Sequence, residues 1–454
     1  MEEGLLESPG AALASRKDCA TLRPRVLRSS SEETARTHGD AAEGIAGIEI
    51  RAVSADPGAS AARRLAILGG DPAFERPLYV TRSLEPDPRI FESHVKDIFA
   101  ARWFTNDGRC VRELEARLAE RLGVGFCLVF CNGTVALQVA LRALELSGEI
   151  LTTPFTFPAT VHAIQWNGLV PVFCDVDPAT YNLDPRSAQE SLSPATSGVL
   201  PVHVFGNPCD VEQLEKLAID RQLRVLYDAA HCFGVETLDR SIGSWGDLSV
   251  LSFHATKLFH TAEGGAIVGS DPVLRKRISA LRNFGILDEE TVKGVGLNGK
   301  LSEVHAAIGL GLLERVDEEI ERRIRLVQRY RTALEGVAGL RFQRLARHTR
   351  PNAGYFSVEV EKERFGLDRD GVFRALRAEN VFARKYFFPL CSENESYRDL
   401  PSARPENLPH ARRLASRILC LPLFGEMADA DVDRIGELIG RIQREAGPIR
   451  AALG

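Results

Sequence analysis

The fold class of this chain follows from residues 126–137, which read Phe126-Cys127-Leu128-Val129-Phe130-Cys131-Asn132-Gly133-Thr134-Val135-Ala136-Leu137. The apolar run at 126–130 predicts a strand, the next four residues a tight turn, and Val135 to Leu146 a helix. Short β-rich runs that alternate with helices in this way predict an α/β fold with a mostly parallel sheet covered on both faces. The same alternation continues downstream, with strands predicted at Glu149 to Thr153, Val170 to Cys174, Gly198 to Val204 and Arg224 to Tyr227, and helices at 158–167 and 210–221.

The regions on either side of this core have other patterns. Residues 111–122 carry apolar residues at helical spacing and predict an amphipathic helix. We expect a large domain at 65–325, including an N-terminal lead-in, and a small C-terminal α+β domain at 326–454. Residues 1–64 lack a sustained apolar period and predict a disordered tail. The remaining predictions are strands at Leu248 to Phe253, Gly265 to Gly269 and Tyr355 to Val360, a long helical region at 301–335, and helices at 370–379, 409–417 and 429–444.

Composition excludes several classes of function. The 454 residues carry a net charge of -5 with a pI near 6.1, so we expect no nucleic-acid partner and no membrane surface. No stretch approaches the roughly 20 apolar residues that span a bilayer. The nine cysteines form no C-x-x-C pair and mostly lie in apolar runs, which indicates reduced thiols in a cytoplasmic protein. No metal site is predicted.

Polar residues follow the predicted strands at the points where an open α/β sheet collects its ligands. Gly133 and Thr134 come directly after a strand and open a helix, so they could hold a phosphate on the positive end of the helix dipole. The alternative is an ordinary turn and helix cap. Asp228, in Asp228-Ala229-Ala230-His231, also ends a strand, and its alternative role is the N-cap of a following helix.

Lys257 gives these residues a common chemistry. It ends Ser252-Phe253-His254-Ala255-Thr256-Lys257, 29 positions after Asp228. A primary amine can hold the aldehyde of pyridoxal 5′-phosphate (PLP) as a Schiff base, and an aspartate can keep the pyridine nitrogen protonated. Once an incoming amine has displaced it, the lysine can move a proton between the substrate carbon and the cofactor carbon. Lys257 and Asp228 are therefore the predicted catalytic residues.

Two further residues are candidates for contact with the cofactor ring. Phe157, in Thr153-Pro154-Phe155-Thr156-Phe157, could stack on the ring, although an aromatic in an apolar run also serves core packing. His231 could lie against the ring near its phenolic oxygen. A histidine at a helix start with its hydrogen bonds satisfied is the alternative.

A set of collinear motifs resembles the DegT/DnrJ/StrS family of sugar aminotransferases from about residue 75 to the C-terminus. Many motifs in the same order are far more specific than one lysine. Besides the Asp228 and Lys257 segments they are Asn132-Gly133-Thr134-Val135-Ala136-Leu137, Pro154-Phe155-Thr156-Phe157-Pro158-Ala159-Thr160, Pro171-Val172-Phe173-Cys174-Asp175-Val176-Asp177, Tyr181-Asn182-Leu183-Asp184 and Pro201-Val202-His203-Val204-Phe205-Gly206.

The resemblance implies a fold-type-I PLP enzyme with a seven-stranded, mostly parallel sheet, working as a homodimer with active sites shared between subunits. It implies that Ser252 and Thr134 contact the cofactor phosphate and that Asn298 completes that site from the neighbouring subunit. This chain has Gly299 and Lys300 where the family commonly has an aromatic residue and an arginine. Lys300 can meet a phosphate as a point charge. It could equally be an exposed loop charge.

The resemblance also implies the reaction. A minority branch of the family replaces the lysine by histidine and removes a hydroxyl group, whereas Lys257 favours amination of a nucleotide-linked ketosugar with glutamate as donor. The run Arg384-Lys385-Tyr386-Phe387-Phe388-Pro389-Leu390-Cys391 looks more like the subset that aminates dTDP-4-keto-6-deoxyglucose. Cys391 stands where many members have histidine, which puts a sugar contact there in doubt.

The basic pair in this run, with the tyrosine beside it, gives the candidate substrate residues Arg384, Lys385 and Tyr386. They could hold the pyrophosphate and nucleoside, or Arg384 and Lys385 could be plain surface charges. A PLP-dependent dehydratase or deoxygenase and a non-catalytic regulatory protein are the alternative functions. The sequence leaves open the sugar, the nucleotide base, amination at C3 or C4, and the role of residues 1–64.

Overall fold

The structure is a computed structural model that describes residues 64–453, which belong to one compact unit. The tail predicted at 1–64 lies outside the described residues except for Arg64. The strands are β1 (Leu78–Tyr79), β2 (Phe126–Phe130), β3 (Glu149–Thr152), β4 (Val170–Phe173), β5 (Thr196–Leu200), β6 (Arg224–Asp228), β7 (Glu236–Thr237), β8 (Arg240–Ser241), β9 (Leu248–Ser252), β10 (Gly265–Gly269), β11 (Leu340–Phe342), β12 (Thr349–Arg350), β13 (Phe356–Val360), β14 (Val381–Phe382) and β15 (Ile418–Leu421).

Helices connect these strands, as the alternating pattern predicted. The α-helices are α1 (Pro88–Ala101), α2 (Arg109–Arg121), α3 (Gly133–Ala143), α4 (Pro158–Trp166), α5 (Pro185–Glu190), α6 (Val211–Arg221), α7 (Pro272–Arg282), α8 (Glu303–Leu313), α9 (Val316–Ala333), α10 (Lys362–Phe365), α11 (Arg369–Ala378), α12 (Pro409–Arg417), α13 (Asp429–Arg444) and α14 (Ala446–Leu453).

A seven-stranded sheet forms the centre of the molecule, in the order β2-β10-β9-β6-β5-β3-β4. Only β10 runs antiparallel to its neighbours in this sheet; the β9–β6, β6–β5, β5–β3 and β3–β4 pairs are parallel. The mostly parallel α/β sheet predicted from the sequence is confirmed. Because β10 separates β2 from β9, strands β2, β9 and β6 point the same way and end at the same edge.

Each face of the sheet has its own apolar layer, because successive side chains of a strand point to opposite faces. On one face, Val225 and Tyr227 of β6 lie in a core cluster with Leu214 of α6 and Leu114 of α2. On the other face, Leu226 lies in a cluster with residues of α3, α4 and α7. The sheet is thus covered on both sides.

Two predicted elements differ from the structure for local reasons. The strand predicted to run to Val204 ends at Leu200, because Pro201 has no N–H for the ladder and residues 204–206 form a 3-10 turn with Phe205 at φ 59°. The helix predicted over 301–335 is divided into α8 and α9. The second helix carries Asp317, Glu318 and Glu319 in its first turn, where acidic residues favour a helix N-terminus.

The C-terminal region contains a three-stranded antiparallel sheet, β11-β13-β15, that shares an apolar core with α9, α11, α13 and α14. We expected the N-terminal lead-in, the described residues before α1, to belong to the large domain. Instead, Leu65 and Phe74 lie in this C-terminal core and β1 pairs with β14. Farther along, Ser83 Oγ donates to Ala255 O over 2.8 Å. The lead-in therefore contacts both the C-terminal region and the segment that carries Lys257.

The eight cysteines among residues 64–453 are all free, and Cys19 lies outside the described residues. Seven of the eight are buried and Cys131 is half-buried. In the same residue range, every helix is too short or too polar to cross a membrane.

Candidate active site

A cavity of about 410 Å³ opens at the edge where β2, β6 and β9 end. Residues of the central sheet line one side of it and residues of the C-terminal region line the other. Nine of the residues that the sequence singled out line this cavity: Gly133, Thr134, Phe157, Asp228, His231, Ser252, Lys257, Arg384 and Tyr386.

Lys257 projects from a tight connection between β9 and β10. The connection is fixed by backbone hydrogen bonds, including Phe253 N to Gly264 O at 2.8 Å and Lys257 N to His254 O at 2.8 Å. Lys257 Nζ lies 3.1 Å from the hydroxyl of Tyr355, the residue that precedes β13 in the C-terminal region. The amine is thus held inside the cavity and within reach of a second proton-bearing group.

Asp228, the last residue of β6, is buried, with 5% of its surface exposed. Its Oδ1 accepts a hydrogen bond from Ala230 N over 3.0 Å, and its Oδ2 accepts one from Thr160 Oγ1 over 2.7 Å. Burial raises the pKa of this carboxyl above its ordinary value, while these hydrogen bonds and the Lys257 charge oppose the shift. The alternative role as a helix N-cap is wrong, since turns lead from Asp228 to β7.

His231 is partly buried in the turn that follows Asp228. Phe205 N donates to its Nδ1 over 3.2 Å, so the ring proton of the neutral tautomer lies on Nε2. Burial, together with the Lys257 charge, lowers the pKa of His231 well below its ordinary value. The ring lies parallel to that of Phe387, with 6.0 Å between centroids. His231 is therefore a neutral hydrogen-bond donor in the cavity wall.

Gly133, Thr134 and Ser252 form a compact polar corner. Gly133 is the first residue of α3, whose N-cap is Asn132, so the cap role considered for Gly133 and Thr134 belongs to Asn132. A Cβ at Gly133 would lie 3.5 Å from Ser252 Oγ, and one at Gly265 would lie 2.6 Å from Gly133 N. The absence of these side chains lets the helix N-terminus and a serine hydroxyl meet. Amide groups at a helix N-terminus together with a hydroxyl can bind an anion.

Phe157 does not belong to the apolar core, because its side chain is 59% exposed while it lines the cavity. Core packing is therefore the wrong alternative for this residue. An aromatic face that lies open in a cavity can stack on a planar ring.

Three predicted site residues are not among those that line this cavity. Lys385 Nζ pairs with Asp370 over 2.6 Å. Lys300 Nζ donates to Asn283 Oδ1 over 3.0 Å and lies over the Phe284 ring. Asn298, exposed on the same segment, forms a backbone bridge with Asn283.

The structure also adds residues that sequence reasoning did not single out. Thr160 contacts Asp228, Tyr355 contacts Lys257, and Phe387 contributes to the aromatic wall. Thr160 ends one of the quoted motifs, and Tyr355 begins a predicted strand, but neither position carried a chemical signal of its own. Cys391 is buried, and its thiol lies 3.3 Å from Thr156 O as a donor.

A lysine amine and a buried aspartate at the edge of a mostly parallel sheet define the class of the aminotransferases with this α/β fold. The chain belongs to the DegT/DnrJ/EryC1/StrS aminotransferase family, whose sequence model matches residues 89–440. The family expected from the collinear motifs is confirmed, and the chain is an enzyme of the aminotransferase class.

Curated relatives and solved structures agree with this assignment. A dTDP-4-amino-4,6-dideoxy-D-glucose transaminase of Shigella dysenteriae is 41% identical over 370 residues, which are 82% of this chain and 100% of the relative. The Escherichia coli protein of the same name is 39% identical over 368 residues, or 80% and 98% of the two chains. The crystal structure of DesI in the presence of its TDP-sugar product matches with a TM-score of 0.81 and 40% identity, covering 85% of this chain and 98% of that chain.

Proposed function

We propose that this enzyme uses PLP to transfer an amino group from an amino acid, glutamate, to a nucleotide-linked ketosugar. The observation that carries the proposal is the convergence of Lys257 and Asp228 on one cavity, with an anion-binding corner at Gly133 and Ser252. These groups match the aldehyde, the ring nitrogen and the phosphate of PLP.

Each residue has a distinct part in this proposal. Lys257 would hold the cofactor through its amine and, once free, carry a proton to or from the substrate carbon. Asp228 would face the pyridine nitrogen, Phe157 and His231 the ring, and Gly133, Thr134 and Ser252 the phosphate, and all six line the cavity. Bound PLP would supply an electron sink for the carbon that loses its proton.

The favoured acceptor is dTDP-4-keto-6-deoxyglucose, with amination at C4. The sequence left C3 and C4 open. Both curated relatives cited above are named for a 4-amino product on a dTDP sugar, and transamination forms a C4 amine from a C4 ketone. Arg384 and Tyr386, at the mouth of the cavity, are the proposed contacts to the nucleotide portion.

The enzyme would act as a homodimer in the cytoplasm. The segment 284–295 exposes Phe284, Leu287, Val292 and Val295, the last by 82%, and Trp166 lines the same surface depression as Val295. An apolar patch of this kind marks a protein–protein contact. Covering it with a second copy would bury the surface beside Asn298 and Lys300, which fits their expected role in the neighbouring subunit's site. The free, mostly buried thiols support a reducing compartment.

A deoxygenase with the same fold and a regulatory protein without turnover are the competing functions. Lys257 weighs against both, because it is the group that exchanges an amine. Incubation with glutamate in the absence of a sugar distinguishes the deoxygenase from the proposed transaminase. A transaminase converts its cofactor to the pyridoxamine form with glutamate, which absorption spectroscopy detects.

The decisive experiment is to incubate the protein with PLP, glutamate and a panel of dTDP-, UDP- and GDP-ketosugars and to identify products by mass spectrometry and NMR. We expect a dTDP-linked sugar with nitrogen at C4, and a dimer by light scattering of the same preparation. An amine at C3, or conversion only of UDP or GDP sugars, would overturn the substrate assignment and leave the transaminase assignment in place.

A further inference from the structure

Two buried threonine hydroxyl groups are hydrogen-bonded in series to the carboxylate of Asp228. Thr160 Oγ1 lies 2.7 Å from Asp228 Oδ2, and Thr156 Oγ1 lies 2.8 Å from Thr160 Oγ1. Thr160 is 0% exposed and Thr156 is 2% exposed, so both side chains are fully buried. Both lie at the start of α4, where a threonine often serves as a cap, yet the N-cap of α4 is Phe157 and no side chain caps this end. The two hydroxyls are therefore directed to each other and to Asp228.

The chemistry of the groups fixes the direction of this chain of hydrogen bonds. An ionised carboxylate only accepts, so the single hydroxyl proton of Thr160 is donated to Asp228. The Thr160 oxygen must then accept the proton of Thr156. The result is a directed sequence from Thr156 through Thr160 to Asp228 Oδ2.

Asp228 needs such support because burial favours its neutral form. Its two hydrogen-bond donors, Thr160 and Ala230 N, occupy part of the roughly four acceptor positions of a carboxylate, which leaves room for a ring N–H. The other titratable groups around it are Lys257, which favours the ionised form, and His231, Cys209 and Cys232, which burial keeps neutral.

We propose that Thr156 and Thr160 form a hydroxyl relay that orients Asp228 and keeps it ionised toward the pyridine nitrogen of the cofactor. The inference rests on the PLP-binding part of the proposed function. Thr160 is a positioning residue in this view, since it acts through Asp228 and does not itself touch the reacting atoms.

The test compares Thr160→Val, Thr160→Ser and Thr156→Val with the wild-type chain. Thr152→Val is the matched control, because Thr152 is also a fully buried threonine of the same region but donates to Leu200 O and does not line the cavity. The readouts are the Kd for PLP by equilibrium dialysis, the pH profile of the bound-cofactor absorption, and kcat and KM for glutamate in the half-reaction.

For Thr160→Val we expect a Kd for PLP and a kcat that worsen by about ten- to a hundredfold, the effect of losing a hydrogen bond to a charged group. The absorption profile should shift in pH, and KM for glutamate should change less than about threefold, because glutamate does not touch the relay. Thr160→Ser should restore the wild-type values, and Thr156→Val should shift them in the same direction by a smaller factor.

Equal Kd values and pH profiles for Thr160→Val and Thr152→Val would overturn the relay. If Thr160→Val fails to fold by circular dichroism, Thr156→Val and Thr160→Ser decide in its place, and wild-type behaviour of Thr156→Val would then reject the relay. The relay and the proposed function can fail independently. If the threonine variants lose PLP affinity in the expected order but the chain aminates no sugar, the relay is supported and the transaminase assignment is rejected.

Discussion

The two halves of the cavity wall differ in how firmly they are held. The floor, which we define as Thr160, Asp228, His231, Ser252 and Lys257, lies at strand ends, in short turns and in the first turn of α4, and all of these side chains except that of Ser252 have a hydrogen-bond partner. The rim, which we define as Phe157, His254, Glu263, Arg384 and Tyr386, is largely exposed: the side chains of Phe157 and Glu263 are 59% accessible and that of His254 is 48%.

This difference separates the chemistry from the choice of substrate. The floor belongs mainly to the central sheet, so its geometry follows from packing that the whole domain enforces. The rim combines loops of the large part with residues of the C-terminal region. We infer that the floor determines the reaction and that the rim determines which sugar nucleotide enters.

The strongest test of the floor is Lys257→Ala. Since one amine is proposed to hold the cofactor and to carry the proton, kcat should fall by roughly a thousandfold or more. Lys257→Arg is the matched variant, because it keeps a positive charge but removes the exchangeable amine. Single-turnover kinetics with glutamate measure both. Wild-type rates in either variant would contradict the proposal that the Lys257 amine holds the cofactor and carries the proton.

A smaller and different effect is expected at the rim from Arg384→Ala. Loss of a charge that binds the nucleotide should raise KM for the sugar nucleotide by about tenfold and change kcat less than about threefold. Lys385→Ala is the adjacent control, since Lys385 is paired with Asp370 and does not line the cavity. If the two variants have the same KM, the division between floor and rim does not hold at Arg384.

The smallest effect concerns the stability of the cofactor-free chain. The folded pKa of Asp228 is raised above 3.8. Its neutral form therefore favours folding below pH 3.8, and this contribution is lost as pH rises through the folded pKa. At pH 7 Asp228→Asn should raise the free energy of unfolding of the apo chain, because the substitution removes a charge that burial disfavours. The gain should vanish below pH 3.8.

Asp175→Asn is the contrasting variant for that measurement by chemical denaturation. Asp175 is also buried, but its two oxygens accept from His410 N and Ala411 N at the start of α12. Its replacement should destabilise the chain by about 1 kcal/mol, because a charged acceptor of two backbone donors is lost. If Asp228→Asn instead lowered the free energy of unfolding at pH 7, the buried charge of Asp228 would not reduce the stability of the folded chain.

The sequence predicted the site residues that follow the strands better than the residues that meet them from distant segments, for a physical reason. Strand ends and the turns after them are local features, so the alternating pattern could place Gly133 and Asp228 at one edge, while the motif around Lys257 and the family resemblance added Lys257 and Ser252. Contacts between distant segments are not local. Thr160 meets Asp228 across 68 positions and Tyr355 meets Lys257 across 98, and no periodicity records such pairs.

Element boundaries were least predictable where backbone geometry departs from the regular pattern. The apolar run that ends at Val204 looked like strand, but Pro201 and the positive φ of Phe205 end the ladder early. The placement of Lys385 also escaped prediction. Its neighbour Arg384 lines the cavity, whereas Lys385 points to Asp370, and composition cannot distinguish two adjacent basic residues.

The lead-in has a mechanical consequence for the site. Its strand β1 is paired with β14, two residues before Arg384, and a few residues later Thr81 and Ser83 donate to the carbonyl oxygens of Thr256 and Ala255. A single short segment is thus fastened at one end to the neighbourhood of Arg384 and at the other to the backbone next to Lys257. The segment therefore links the entrance of the cavity directly to the backbone that carries its reactive amine.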